Sequence, residues 1–299
     1  PLATAAAAAA APEADGWVPE PLVPGLLAQG AITDAAVAAA TEAEPPAQEG
    51  VEMRLFDPLG YAKRPLPAAQ KATNATMDVY GFGACGPRGF YGSTRPHLGL
   101  EKDLADFLGT ESAIAYSAGV ATASSVLPAL VQPTDRVVAD CEIHLGLRTG
   151  LRLCKANTSW VPHGDLAALE RALATGAEAA KKAEASKKDS RPQRTFIIVE
   201  ALYQRTGSLA PLAELVALKD KYGALLVLDE SLSFGVLGAG GRGLAARDGV
   251  DVKGVDVLIG SLEHAIAGVG GFCAGRKGLI DHQRLSGAGY CFSASCPPA

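Results

Sequence analysis

The stretch TFIIVEALYQRTGSLAPLAELVALKDKYGALLVLDE, residues 195–230, decides the fold. Its ends, TFIIVEAL and ALLVLDE, carry short apolar runs, FIIV and LLVL, with no polar residue inside. Strands of that kind are covered on both faces, as in a parallel sheet. Between them, PLAELVALKDKYG has the composition of a helix, with a glycine just past its end. Apolar strands that alternate with helices imply a mainly parallel sheet with helices on both faces.

The same alternation extends outward. Downstream, VDVLIGSL reads as a strand and leads to GGFCAG. Upstream, SAIAYS, RVVAD and TSWVPH read as strands. HLGLEKDLADFLG, GVATASSVLPALV, LGLRTGLRL and DLAALERALATGAEAAKKAEA read as helices, the last running into a charged linker, SKKDSRPQR. In such folds ligands bind at the carboxyl ends of the strands. The polar residues expected there are Asp140, Glu200, Asp229 and the turn at 260–264. No internal repeat is visible.

Composition narrows the function classes. The chain has 299 residues, 48% hydrophobic and 20% charged, with a net charge of -5. That balance offers nothing to nucleic acid as a partner. Residues 1–50 hold seven acids and no Lys or Arg, and are rich in Ala, Pro and Glu; they are expected to form a disordered leader. Residues 51–97 read as an N-terminal arm with a Gly-rich loop, and 98–299 as the large domain. The six cysteines form no C-x-x-C pair and no zinc-like spacing with histidine, so reduced thiols and no metal site are expected. No apolar run reaches the ~20 residues that span a bilayer. The Ala run ATAAAAAAAP lacks the basic residues of a signal or transit peptide. With no initiator Met and an ending at SASCPPA, the sequence reads as a piece of a longer protein.

Several motifs fail on context. GFGACG, 81–86, fits G-x-G-x-x-G, but TMDVY before it reads as a poor strand and PRGFYG after it cannot open a helix cleanly. LLVLDES looks like the acidic strand of a P-loop NTPase, yet the chain has no Gly-Lys pair. There is no G-x-S-x-G. Two arginines in the Gly-rich run CGPRGFYGSTRPH suit recognition of phosphate or carboxylate. Asp229 is either a loop cap or an anion beneath a protonated ring nitrogen; His144 is either a loop histidine or a flat ring stacked on a flat cofactor. GSLEHAIAGVGGFCAG, 260–275, is a Gly-rich turn after a strand, as expected where backbone approaches a ligand, and it carries Glu263 and His264 side by side.

Taken together these residues resemble the α-oxoamine synthases, fold-type-I pyridoxal phosphate enzymes that condense an amino acid with an acyl-CoA. Within that family they are most similar to the serine palmitoyltransferase branch, on the side that lacks the catalytic lysine. WVPEPLVP (17–24), YGFGACGPRGFYGSTRPHLGLE (80–101), FIIVEALYQRTGSLAPLAEL, DESLSFGVLGAGGRG (229–243) and DHQRLSGAGYCFSAS (281–295) carry the resemblance. It implies a fold-type-I transferase whose C-terminal small domain is largely missing here. The family's pyridinium-binding aspartate falls on Asp229 and its ring-stacking histidine on His144, while Glu200 matches an acidic strand end. The histidine expected three residues after the aspartate is Leu232. The Schiff-base lysine falls on His264; the only lysines beyond Asp229 are Lys253 and Lys277. An imidazole cannot form a lysine-like aldimine.

The resemblance therefore implies a subunit inactive alone that completes a homologous lysine-bearing partner holding the pyridoxal phosphate. It implies L-serine and palmitoyl-CoA as substrates of the complex. The implied place is the cytosolic face of the endoplasmic reticulum membrane, with an anchor N-terminal of WVPEPLVP. Cys85, Gly86, Arg88 and Tyr91 are the candidate loop that reaches or supports the partner's site. A self-sufficient pyridoxal phosphate enzyme and a cofactor-free scaffold are the alternatives.

Overall fold

The structure is a computed structural model. It describes residues 56–61, 66–83, 85–186 and 192–299, without the side chains of 181–186. The expected leader, WVPEPLVP and most of the charged linker lie outside the described residues.

The described chain runs α1 (Pro67–Tyr80), α2 (Arg95–Leu108), β1 (Ser112–Tyr116), α3 (Gly119–Leu130), β2 (Arg136–Asp140), α4 (Leu145–Cys154), β3 (Asn157–Val161), α5 (Leu166–Ser186) and β4 (Thr195–Glu200). It continues with α6 (Leu212–Tyr222), β5 (Leu225–Asp229), α7 (Leu244–Asp248), β6 (Val257–Ser261), β7 (Gly271–Gly275), α8 (Lys277–Ser286) and α9 (Ala288–Cys291). Seven strands form one sheet in the order β1-β7-β6-β5-β4-β2-β3. All neighbours are parallel except β7, which runs antiparallel to both β1 and β6.

The apolar runs fall where expected. Phe196 to Val199 and Leu226 to Leu228 are buried in the two middle strands, β4 and β5. Gly223 ends α6 in the left-handed conformation at φ 61°, which glycine adopts without steric cost. β3 stops at Val161, before Pro162, which has no N–H for a ladder.

Two local expectations are corrected. TMDVY is no strand: it is the end of α1, a helix opened by Pro67 with no buried residue. Its exposure explains why no helical apolar stripe marks it. Helix α2 begins at Arg95, ahead of the expected His97, because Pro96 suits a first turn and the Thr94 N–H donates to His97 Nδ1 at 3.2 Å.

The glycines of 260–275 also have a different reason from the one expected. A Cβ on Gly260 would lie 2.3 Å from the Phe272 ring, and one on Gly270 (φ 95°) would lie 2.2 Å from the Tyr116 carbonyl oxygen. These glycines admit protein atoms of the neighbouring strands, where a ligand was expected.

Candidate active site

Register decides which strand-end carboxylates meet. Glu200 and Asp229 are direct partners on parallel strands, so their side chains share one face of the sheet. Ala139 pairs with Ile198, which places Asp140 level with Val199 and on the opposite face. The four expected positions thus divide between two faces.

On the first face, His144 caps α4. Its Nδ1 accepts the Gly146 N–H at 3.0 Å, which leaves the ring proton on Nε2 to donate to Asp229 Oδ2 at 2.9 Å. The His144 N–H donates to Glu200 Oε1 at 2.5 Å, and the Gln204 N–H to Glu200 Oε2 at 3.0 Å. Asp229 Oδ1 accepts the Ser231 N–H at 2.8 Å. Burial disfavours charge on His144, but the bond to Asp229, that carboxylate's charge and Glu200 outweigh it and raise the pKa. Burial pushes Glu200 up to about 7, its amide donors pull down, and the neighbouring Asp229 adds to the rise. The expected ring-stacking histidine and ring-nitrogen aspartate are therefore together, and hydrogen-bonded to each other.

The far end of the same cavity is the hairpin loop between β6 and β7. The Glu263 N–H donates to Ser261 Oγ at 3.1 Å, and Glu263 Oε1 accepts the Gly119 N–H at 3.0 Å, at the first residue of α3. His264 is half-buried, with Phe56 edge-on at 5.1 Å between ring centroids. Burial lowers its pKa against the pull of Glu263 and Asp229, which favours the neutral ring. Gly119, Val120, His144, Glu200, Asp229, Leu232, Glu263 and His264 line a cavity of about 200 Å³. No lysine lines it. Lys253 lines a different cavity with Thr110, Glu111 and Arg276, and Lys277 opens α8.

These residues do not fit pyridoxal phosphate. Asp229 is already bonded to His144 and Ser231, the first amide of α3 is taken by Glu263, and among the described residues no amine faces the cavity.

A second His–Asp pair, which the sequence did not reveal, lies on the other face. His163 Nδ1 is 3.1 Å from both Asp140 oxygens, and His163 Nε2 is 2.6 Å from Ser208 Oγ. The order Ser208, His163, Asp140 is that of a nucleophile relay, beside a cavity of about 110 Å³. The two amides nearest Ser208 Oγ in the chain are not free to form an oxyanion site. The Gly207 N–H donates to the Tyr203 carbonyl at 2.8 Å, and the Ser208 N–H points to Thr206 Oγ1 at 3.4 Å. The group ties the ends of β2 and β3 to the 203–208 loop.

The Gly-rich loop divides in two. Gly86 and Arg88 are buried. Arg88 pairs with Glu101 at 2.9 Å, donates from Nε to Ser93 Oγ at 3.0 Å and sits over the Tyr290 ring. Glu101 also pairs with Arg284 at 3.1 Å. The carboxylate that Arg88 recognises is therefore internal, and Arg88 does not reach outward. Cys85, at φ 50°, is exposed, as are Phe82, Phe90 and Tyr91, the last at 88%.

The chain is 40% identical over 287 residues to long chain base biosynthesis protein 1c of Oryza sativa subsp. japonica, covering 95% of this chain and 58% of that protein. It is 39% identical over 229 residues to serine palmitoyltransferase 1 of Saccharomyces cerevisiae, covering 76% and 40%. The chain thus spans 58% of the length of the first relative and 40% of the second. Among solved structures, a serine palmitoyltransferase variant from S. paucimobilis with a bound PLP-myriocin aldimine superposes with a TM-score of 0.69 at 27% identity, over 78% of this chain and 55% of that one. An 8-amino-7-oxononanoate synthase from Francisella tularensis shares the fold, with a TM-score of 0.65 at 23% identity, over 82% and 64%. The profile of the family "Aminotransferase class I and II" matches residues 57–299. By this family match and these relatives, the chain belongs to the aminotransferase class I and II family, among the serine palmitoyltransferase-like proteins.

Proposed function

We propose that this chain is the noncatalytic subunit of a heteromeric serine C-palmitoyltransferase. The complex would condense L-serine with palmitoyl-CoA to 3-oxosphinganine, carbon dioxide and CoA. One observation carries the reading: the turn after β6 presents Glu263 and His264 to the cavity and no lysine does so. A neutral imidazole cannot hold an aldehyde as lysine does. Pyridoxal phosphate is then held by a homologous lysine-bearing partner, and this chain completes or stabilises that partner's site.

The exposed surface supports a partner. Phe82, Phe90 and Tyr91 cluster in sequence and are all exposed, and α1 ahead of them buries nothing. Exposed aromatics of this kind are typical anchors of protein interfaces. Buried Arg88 would serve by holding the loop in shape, and Tyr91 and Cys85 by contact. We assign the 51–97 arm to the interface and 98–299 to the transferase-like domain. The endoplasmic reticulum membrane, on its cytosolic face, is the proposed location; among the described residues no helix is long and apolar enough to cross a membrane.

The test is expression of this chain alone and with a lysine-bearing partner, followed by acyl transfer from palmitoyl-CoA to serine. Activity is expected only on co-expression. An internal aldimine band or acyl transfer from this chain alone would instead establish a self-sufficient enzyme. Tyr91→Ala with Phe90→Ala is expected to weaken co-purification of the partner and leave the melting temperature of the isolated chain unchanged.

A further inference from the structure

The cavity lies between two features that would ordinarily take a phosphorylated ring: a carboxylate at the end of a central strand, and the N-terminus of a helix. The helix is α3, twelve residues long. Its N-cap, Ala118, has no side-chain oxygen with which to satisfy the first amides. Such an end holds partial positive charge and open N–H donors, and it attracts anions.

In this chain the anion is internal. Glu263 Oε1 accepts the Gly119 N–H at 3.0 Å, and a Cβ on Gly119 would lie 2.7 Å from Glu263 Oε2. The carboxylate thus fills the space over the first turn. Its backbone is held by the bond from its N–H to Ser261 Oγ, and the hairpin is closed by the Leu262 N–H to the Gly270 carbonyl at 2.9 Å. The charge around the cavity points the same way. Asp229 and Glu263 line it with Glu200, whose pKa is raised to about 7, and His144; among the described residues neither Lys nor Arg does. A phosphate monoester, carrying about -1.5 to -2 at pH 7, would meet the Asp229 and Glu263 carboxylates there.

We infer that Glu263 replaces a ligand's phosphate at the N-terminus of α3 and closes this cavity to phosphorylated cofactors. The inference rests on the reading of the cavity as a lapsed cofactor site, and it makes Glu263 an obstacle separate from the missing lysine at position 264. Restoring the lysine alone would then not restore binding.

The experiment titrates the full chain with pyridoxal phosphate, pyridoxal and inorganic phosphate by calorimetry. Glu263→Ser is expected to tighten pyridoxal phosphate at least tenfold, with inorganic phosphate competing, and to leave pyridoxal unchanged. Glu263→Gln keeps the shape and an acceptor for the Gly119 amide; it is expected to fall between wild type and Glu263→Ser, and it keeps the test valid if the serine variant folds poorly. His264→Lys alone is expected to show no aldimine absorbance, and His264→Lys with Glu263→Ser to show it, with the borohydride-reduced adduct mapped to position 264. Wild type binding pyridoxal phosphate as tightly as Glu263→Ser, an equal gain for pyridoxal, or a full aldimine band from His264→Lys alone would each overturn the inference. None of these readouts needs acyl transfer or a partner, so failed pairing leaves them intact.

Discussion

The two ends of the front cavity make an instructive contrast. At one end, Asp229 and Glu200 are 3% and 2% exposed, lie side by side on central strands and hold His144, Ser231 and Gln204 between them. At the other, Glu263 is exposed and His264 half-buried, on a hairpin loop. The first end carries a buried His–Asp pair beside Glu200; the second carries Glu263 and His264 and, among the described residues, no lysine. The difference follows from what each end does for the fold. Removing a carboxylate from the first strands buried donors, whereas a loop side chain can change with little penalty. Asp229 and His144 thus have a structural role in holding the strand ends together.

The contrast can be broken at its strongest point. Asp229→Ala would leave His144 Nε2 and the Ser231 N–H without their partner, and is expected to cost about 3 kcal/mol, read from the denaturant midpoint. A loss below about 1 kcal/mol would show that the strand-end network is no more structural than the loop. Next is Gly260→Ala, whose Cβ would meet the Phe272 ring; overpacking there is expected to cost about 2 kcal/mol.

The third measurement is pH dependence. Glu200 has its folded pKa raised to about 7 from 4.5. Folded Glu200 binds its proton more tightly than unfolded, so its contribution is full below about 4.5 and is lost as pH rises through about 7. The full shift corresponds to about 3 kcal/mol. Glu230, also pushed up to about 7 by burial, acts in the same direction, and the lowered pKa of His264 acts in the opposite one. The difference between wild type and Glu200→Gln isolates the Glu200 share: the fall in stability across that window should flatten in the variant. The smallest expected effect is at the loop. Glu263→Ala removes the partner of one helix-end amide and is expected to cost about 0.5–1 kcal/mol in thermal melts. A cost as large as that of Asp229→Ala would erase the distinction between the ends.

Much of this was legible along the chain. FIIV and LLVL announce central strands because both of their faces are apolar, and Gly223 marks the end of α6 because a left-handed residue follows the helix. Asp229 and Glu200 could be placed at strand ends, and His264 could be recognised as no lysine. The sequence was less informative where side chains choose partners. Arg88, in a loop of glycines and aromatics, looked available for a ligand, yet Glu101 on α2 holds it inside. His163 drew no notice because Asp140 and Ser208, its partners, lie 23 and 45 residues away.

Residue chemistry and local period thus suffice for most strands and helices and for the family. Which face each strand-end carboxylate uses depends on register, since a shift of one residue moves every side chain to the other face. Whether the helix end of the cavity is open depends on a hydrogen bond between residues 144 positions apart, closed by a hairpin that brings β7 back beside β6. No local pattern carries that information, because it arises from the packing of α3 against a loop made much later in the chain.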